Sequence, residues 1–155
     1  MTAPNGSRFW RVALRLMYRF LRLMDPMIRA SRARGAPGTD GFVELKVPGR
    51  QSGRPRTTLL TLLSVGDEQY LGHPNGDTQW TLNAEAAGVV HIDPPGVYGG
   101  TFSVVRLPPG AERDAVITAT RTQQPFPANL VYRAASRHIA AVGVYFRLVP
   151  TADIA

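Results

Sequence analysis

The residues whose reading decides the fold are Pro48-Gly49-Arg50-Gln51-Ser52-Gly53-Arg54-Pro55-Arg56, which lead without a break into Thr57-Thr58-Leu59-Leu60-Thr61-Leu62-Leu63-Ser64-Val65. Two glycines permit close backbone approach and unusual dihedrals, as a tight turn requires. Three arginines within seven residues, with the Ser52 hydroxyl, offer forked donors of the kind that phosphate and carboxylate groups accept. The run from Thr57 to Val65 is apolar and β-branched enough for a buried strand, and Phe42 to Val47 reads as the strand before the turn. A solvated β-turn whose charges aid solubility is the other reading of the same residues.

Working outward, Gly66-Asp67-Glu68 makes a hairpin turn into a strand from Gln69 to His73. Thr78 is placed to cap a helix that runs to Ala87, with Gly88 at its C-terminal end. Val89 to Ile92, Val97–Tyr98 and Thr101 to Leu107 are further strands, broken by Pro94-Pro95-Gly96 and Pro108-Pro109. Helices are expected over Ala111 to Arg121 and Ala128 to Arg137. The last strand, near Ala140 to Val149, alternates: Val142, Val144, Phe146 and Leu148 face one way, Tyr145 and Arg147 the other. Many short strands with a few helices and no internal repeat predict an α+β fold, a small antiparallel barrel with helices attached.

At 155 residues the chain is long enough for one domain, which at this size buries roughly 70% of its unfolded surface. With no cysteine, disulfides and thiolate chemistry are excluded. No run of 18 apolar residues reads as a membrane span, and arginines interrupt the N-terminus where a secretory signal would be apolar, so the cytoplasm is the default compartment. Gly49-Arg50-Gln51-Ser52-Gly53 has neither the G-x-S-x-G order of a nucleophile elbow nor the Gly-Lys-Ser/Thr ending of a phosphate-binding loop. His73, His91 and His138 are too scattered for a metal motif.

The net charge of +7 is local. Residues 1–34 carry eight arginines and one acid, Asp25; of the 18 basic and 11 acidic groups, the remaining 121 residues therefore hold ten of each. From Ser7, a fitting N-cap, to about Met24 the pattern is helical, with Pro26 expected to stop or kink the helix. Arg8, Arg11, Arg15, Arg19 and Arg22 form one stripe; Trp10, Leu14, Met17, Leu21 and Met24 form another, widened by Phe9, Leu16, Phe20 and Leu23. Five arginines at about 2.5–3.5 kcal/mol each rule out spanning a bilayer. Lying flat on an anionic leaflet would instead gain about 1 kcal/mol per arginine, with Trp10 and Tyr18 at the headgroup boundary. Packing of the apolar face on the barrel, a homodimer contact and nucleic-acid phosphates are the alternatives, nucleic acid the least expected. Residues 1–40 thus form a basic helix and linker (Ser31 to Gly41 is linker by composition), and residues 41–155 the barrel domain.

Gly49 to Arg56 (G-R-Q-S-G-R-P-R) resembles the G-R-x-[ST]-G-x-P-R signature of deazaflavin (F420)-dependent nitroreductases and quinone reductases. The likeness extends through Gly72, Pro74 and Gly76 to Gln79–Gly88 (Q-W-T-L-N-A-E-A-A-G), similar to the family's W-x-x-N-x-x-A helix, and covers roughly residues 42–93. It implies a split antiparallel β-barrel like that of flavin reductases, binding coenzyme F420, a deazaflavin with a phosphate and an oligoglutamate tail. Arg50 and Arg56, with Arg54 as a third, would face the tail; Ser52 and the Gly53 backbone would donate to the phosphate. Trp80 and Asn83 share a helix face that in the family lies beside the cofactor, core packing being the other reading of Trp80. The family's lysines are missing here: the single lysine is Lys46, against 17 arginines. The resemblance implies hydride transfer to a quinone, nitroaromatic or related small-molecule acceptor, with His73, Tyr132 and Tyr145 as candidates by type to polarise or protonate it. The family includes membrane-associated quinone reductases, which agrees with the helix of residues 7–24 lying on an anionic surface such as the inner face of the cell membrane. A non-catalytic F420 or flavin binder, with FMN as cofactor, is the alternative.

Overall fold

The computed structural model describes residues 6–34, 41–93, 99–124 and 126–151. The expected strand at Val97–Tyr98, the Pro94-Pro95-Gly96 break and most of the linker lie outside them. The elements are α1 (Arg8–Ala33), β1 (Phe42–Pro48), β2 (Pro55–Thr61), β3 (Leu63–Val65), β4 (Glu68–His73), α2 (Gln79–Ala87), β5 (Val89–Asp93), β6 (Gly100–Arg106), α3 (Ala111–Gln123), α4 (Ala128–Ala134), α5 (Ser136–Val142) and β7 (Val144–Pro150).

All seven strands join one antiparallel sheet in the order β2-β1-β5-β6-β7-β4-β3. β2 and β3 stand at opposite edges of that order, yet only Leu62 separates them in sequence. One residue spans at most about 3.5 Å, so the sheet must curl until its edges meet. The expected continuous strand from Thr57 to Val65 is therefore broken at Leu62, whose N–H bonds the Gly41 carbonyl at 2.8 Å. The α+β split barrel with peripheral helices is the observed architecture.

The barrel interior is filled by inward residues of β1, β5 and β7 (Val43, Leu45 and Val47; Val90 and Ile92; Val144, Phe146 and Leu148), with Trp80 and Ala84 of α2 closing it. A second cluster lies on the outside of β3, β4 and β7, where α1, α3, α4 and α5 cover Leu63, Tyr70 and Tyr145. Both faces of β7 are thus buried, which corrects the expectation of one apolar and one polar face. Tyr145 is as buried as Phe146, and Val142 belongs to α5. The single helix expected over Ala128–Arg137 is two, divided at Ala135.

α1 also departs from expectation. Ser7 Oγ caps it by accepting the Trp10 N–H at 3.4 Å, but Pro26 does not end it. Proline removes one backbone bond, to the carbonyl four residues back, while the turns beyond are held from outside: Ile28 and Arg29 are half-buried, and Arg29 Nε lies 3.3 Å from Glu44 Oε1 on β1. The apolar face widened by Phe9, Leu16, Phe20 and Leu23 is split in two. Trp10, Leu14 and Met17 pack in the outer cluster, whereas Phe9, Val12, Leu16, Phe20, Leu23 and Met27 form an exposed row. Their steps of three and four place that row on the side of the helix turned away from the barrel.

Candidate functional site

The β1–β2 turn is locked by its own backbone. Gly49 N–H donates to the Arg54 carbonyl at 2.9 Å, and Gly53 N–H to the Gly49 carbonyl at 2.8 Å. Gly53 sits at φ 67°, the left-handed conformation that glycine adopts without strain. A side chain at Gly49 would bring its Cβ to 2.8 Å from Ser52 Oγ and 3.6 Å from Arg56 Nε, so glycine lets hydroxyl and guanidinium converge there.

α2 supplies the opposite wall. Thr78 precedes it in extended backbone, Gly88 ends it at φ 71°, and the Thr81 hydroxyl accepts the Thr78 N–H at 2.8 Å. Its first turns carry Gln79, Trp80 and Asn83 toward the turn, and the space between them is a cleft of about 370 Å³. Asn83 is buried, and its Oδ1 accepts the Arg50 backbone N–H at 3.1 Å and Arg50 Nη1 at 3.0 Å. Gln79 Oε1 accepts the same Nη1 at 2.9 Å. Asn83 therefore ties the arginine turn to α2. The Trp80 ring lies 6.1 Å from that of Phe146, and its buried Nε1–H has no acceptor among the described residues.

The cleft's charge is uncompensated. Among the described residues no carboxylate pairs with Arg50 or Arg56, whereas Arg106 is held by Asp77 and Glu85, and Arg147 by Glu112. Of the residues expected to serve a cofactor, Arg50, Ser52, Arg56, Trp80 and Asn83 line this one cleft. Gly53 shapes the turn from outside its lining, and Arg54 is exposed and also lies outside it. Gln79, Thr57 and Thr58 join the wall; nothing in their residue types singled them out.

A second cleft, of about 500 Å³, lies on the other side of the α2 N-terminus: Thr78 lines this one and Gln79 the first. Its walls are Arg11, Arg15, Arg19 and Arg22 of α1 and the segment from His73 to Thr78, with Tyr18 and Val142. The buried His73 ring meets the Tyr18 ring at a tilt of 38°, with centroids 4.6 Å apart. Its Nδ1 accepts the Asn75 N–H at 3.3 Å, which assigns the ring proton to Nε2. Burial pushes its pKa down to about 4, so the ring is neutral near pH 7. The Tyr18 and Tyr132 hydroxyls hydrogen-bond each other, and burial raises the pKa of both. Of the three candidates for contact with an acceptor, only His73 lines a cleft; Tyr132 and Tyr145 are buried in the outer cluster. No cluster of His, Asp and Glu able to hold a metal occurs among the described residues.

No family model matches the chain, and no curated protein matches it in sequence. Solved structures do. An F420-H2 dependent reductase (FDR-A) aligns with a TM-score of 0.54 at 16% identity, over 70% of this chain and 94% of that one. The heme storage protein HutZ of Vibrio cholerae gives 0.54 at 13% identity, over 83% and 90%. A structure described as a domain-swapped dimer gives 0.53 at 15% identity, over 83% and 98%. Likeness at these identities is likeness of fold. The chain has a split-barrel fold of the flavin-reductase kind.

Proposed function

We propose that this protein is an F420-dependent oxidoreductase that passes a hydride from the reduced deazaflavin to a small conjugated acceptor such as a quinone or nitroaromatic. The observation that carries this reading is the first cleft, where the Arg50 and Arg56 guanidiniums, neither paired with a carboxylate among the described residues, and the Ser52 hydroxyl converge beside Trp80. That donor set suits a ligand with an anionic tail and a ring with polar edges. The shared fold of the F420-H2 dependent reductase supports it. Arg50 and Arg56 would hold the anionic tail and Ser52 the phosphate, while Trp80 gives the ring a flat apolar wall. Asn83 and Gln79 act one step back, fixing the Arg50 fork so that little rotamer freedom is lost on binding. The bound coenzyme supplies the hydride chemistry; the chain's part is to bind, orient and exclude water.

FMN is the second reading, since one phosphate could also occupy the turn, and a non-catalytic flavin or F420 carrier is the third. The exposed apolar row of α1 beside the arginine stripe supports operation at an anionic membrane surface. The likeness to a domain-swapped dimer supports a homodimer.

The test is fluorescence titration with F420 and with FMN, followed by oxidation of reduced F420 in the presence of a soluble quinone. Each charge-assisted contact removed costs about 1.5–3 kcal/mol, so Arg50→Ala/Arg56→Ala should weaken F420 binding by at least about 100-fold. Unchanged uptake by that variant sinks the assignment. FMN affinity without F420 affinity favours the second reading, and binding without turnover the carrier.

A further inference from the structure

The arginine stripe of α1 is exposed, and four of its members border a cleft. Arg11, Arg15, Arg19 and Arg22 form one wall of the second cleft, opposite His73, Asn75 and Thr78. Eleven residues of helix at 1.5 Å each set these guanidiniums along about 16 Å. Among the described residues Arg11, Arg15 and Arg19 form no ion pair, Arg22 feels the nearby Asp25 carboxylate, and the cleft's one acid, Asp77, is engaged by Arg106 through both its oxygens, at 3.1 and 3.2 Å. His73 adds a neutral imidazole, hydrogen-bonded to the backbone of Asn75 and Gly76, with Tyr18 against its face. A concave site of about 500 Å³ with four arginines along one wall and the His73–Tyr18 ring pair in its lining selects a particular chemistry.

We propose that the second cleft binds a small, flat conjugated molecule that carries two carboxylate or phosphate groups. The aromatic His73–Tyr18 surface takes the ring system, and the arginine ladder takes the anionic groups at its ends. Occupancy of this cleft does not depend on the F420 reading of the first one. Acidic conjugated molecules are then bound in preference to neutral ones of equal size.

Isothermal titration of the full chain, without any coenzyme, tests it. The probe is naphthalene-2,6-dicarboxylate, with its neutral dimethyl ester as control. The dianion should bind at least tenfold more tightly than the ester, and Arg15→Ala/Arg19→Ala, two exposed positions, should weaken it at least tenfold. Arg50→Ala/Arg56→Ala should leave its affinity unchanged, so that failure of the first cleft's assignment and failure of this one are read separately. Equal binding of dianion and ester overturns the proposal, as does an unchanged Arg15→Ala/Arg19→Ala or loss of binding in Arg50→Ala/Arg56→Ala. Affinity for phosphatidylglycerol vesicles with none for the dianion also overturns it, in favour of the membrane as the arginines' partner.

Discussion

At the residue scale, Gly72 shows why some side chains were legible in the sequence and others were not. It pairs with Tyr145 across β4 and β7, and any Cβ there would overlap the Tyr145 ring. The glycine marks a close approach, but its spacing says nothing about which ring approaches. Tyr145 is a candidate by residue type alone, and the fold places it in the outer cluster. His73 lies one residue on and has the opposite fate, with its ring at a cleft. Its depressed pKa makes a prediction about stability. The unfolded chain binds a proton near the ordinary histidine value of about 6.5 and the folded chain only near 4, so between these values the unfolded state holds more protons. The stabilisation that goes with neutral His73 is complete above about pH 6.5 and is lost as pH falls toward 4, to a limit of roughly 3 kcal/mol. Urea unfolding at pH 7.5 and pH 5 should show this decline in the native protein and a much smaller one in His73→Gln. Equal declines would mean that other groups carry it.

At the element scale, α2 was the most legible piece, because Thr78, the 79–87 run and Gly88 each speak locally about caps and propensity. Helix α1 was legible as a helix but not in its partition. Periodicity reports that residues share a face; it does not say which of two adjacent apolar stripes meets protein. Trp10, Leu14 and Met17 meet the outer cluster, and Phe9, Val12, Leu16, Phe20, Leu23 and Met27 do not. If α1 lies on a bilayer, the second stripe is the one that enters it. The variant Phe20→Glu/Leu23→Glu changes two exposed positions, 62% and 80% accessible, and should leave folding and F420 uptake intact. It should lose most binding to phosphatidylglycerol vesicles in co-sedimentation, since burial of an apolar side chain contributes about 1.5–3 kcal/mol. Undiminished sedimentation of the variant would remove the membrane from the account.

At the scale of the whole molecule, the sequence carries the count and kind of strands but not their order, because pairing is a contact between distant residues. Only the closure at Leu62 brings β2 and β3 to meeting edges. Likewise only the fold brings α1 to the loop after β4, more than fifty residues away in sequence, to make a second cleft that no local motif announces. The division into a basic arm of residues 1–40 and a barrel of 41–155 can be decided through one side chain. Leu14 is fully buried among Leu63, Tyr70, Tyr132 and Ile139, so its methyl groups belong to the same packed cluster as the strands. Leu14→Ala should then cost about 2–5 kcal/mol of global stability, the range for truncating a buried leucine. The loss should appear as a lower urea midpoint with an unchanged slope and a single transition. If α1 were instead an arm that folds or docks apart from the barrel, the midpoint would stay where it was and only the helix would loosen, seen as a separate early loss of helical signal. One unfolding curve thus distinguishes a basic arm merely joined to the barrel from a domain whose core includes that helix.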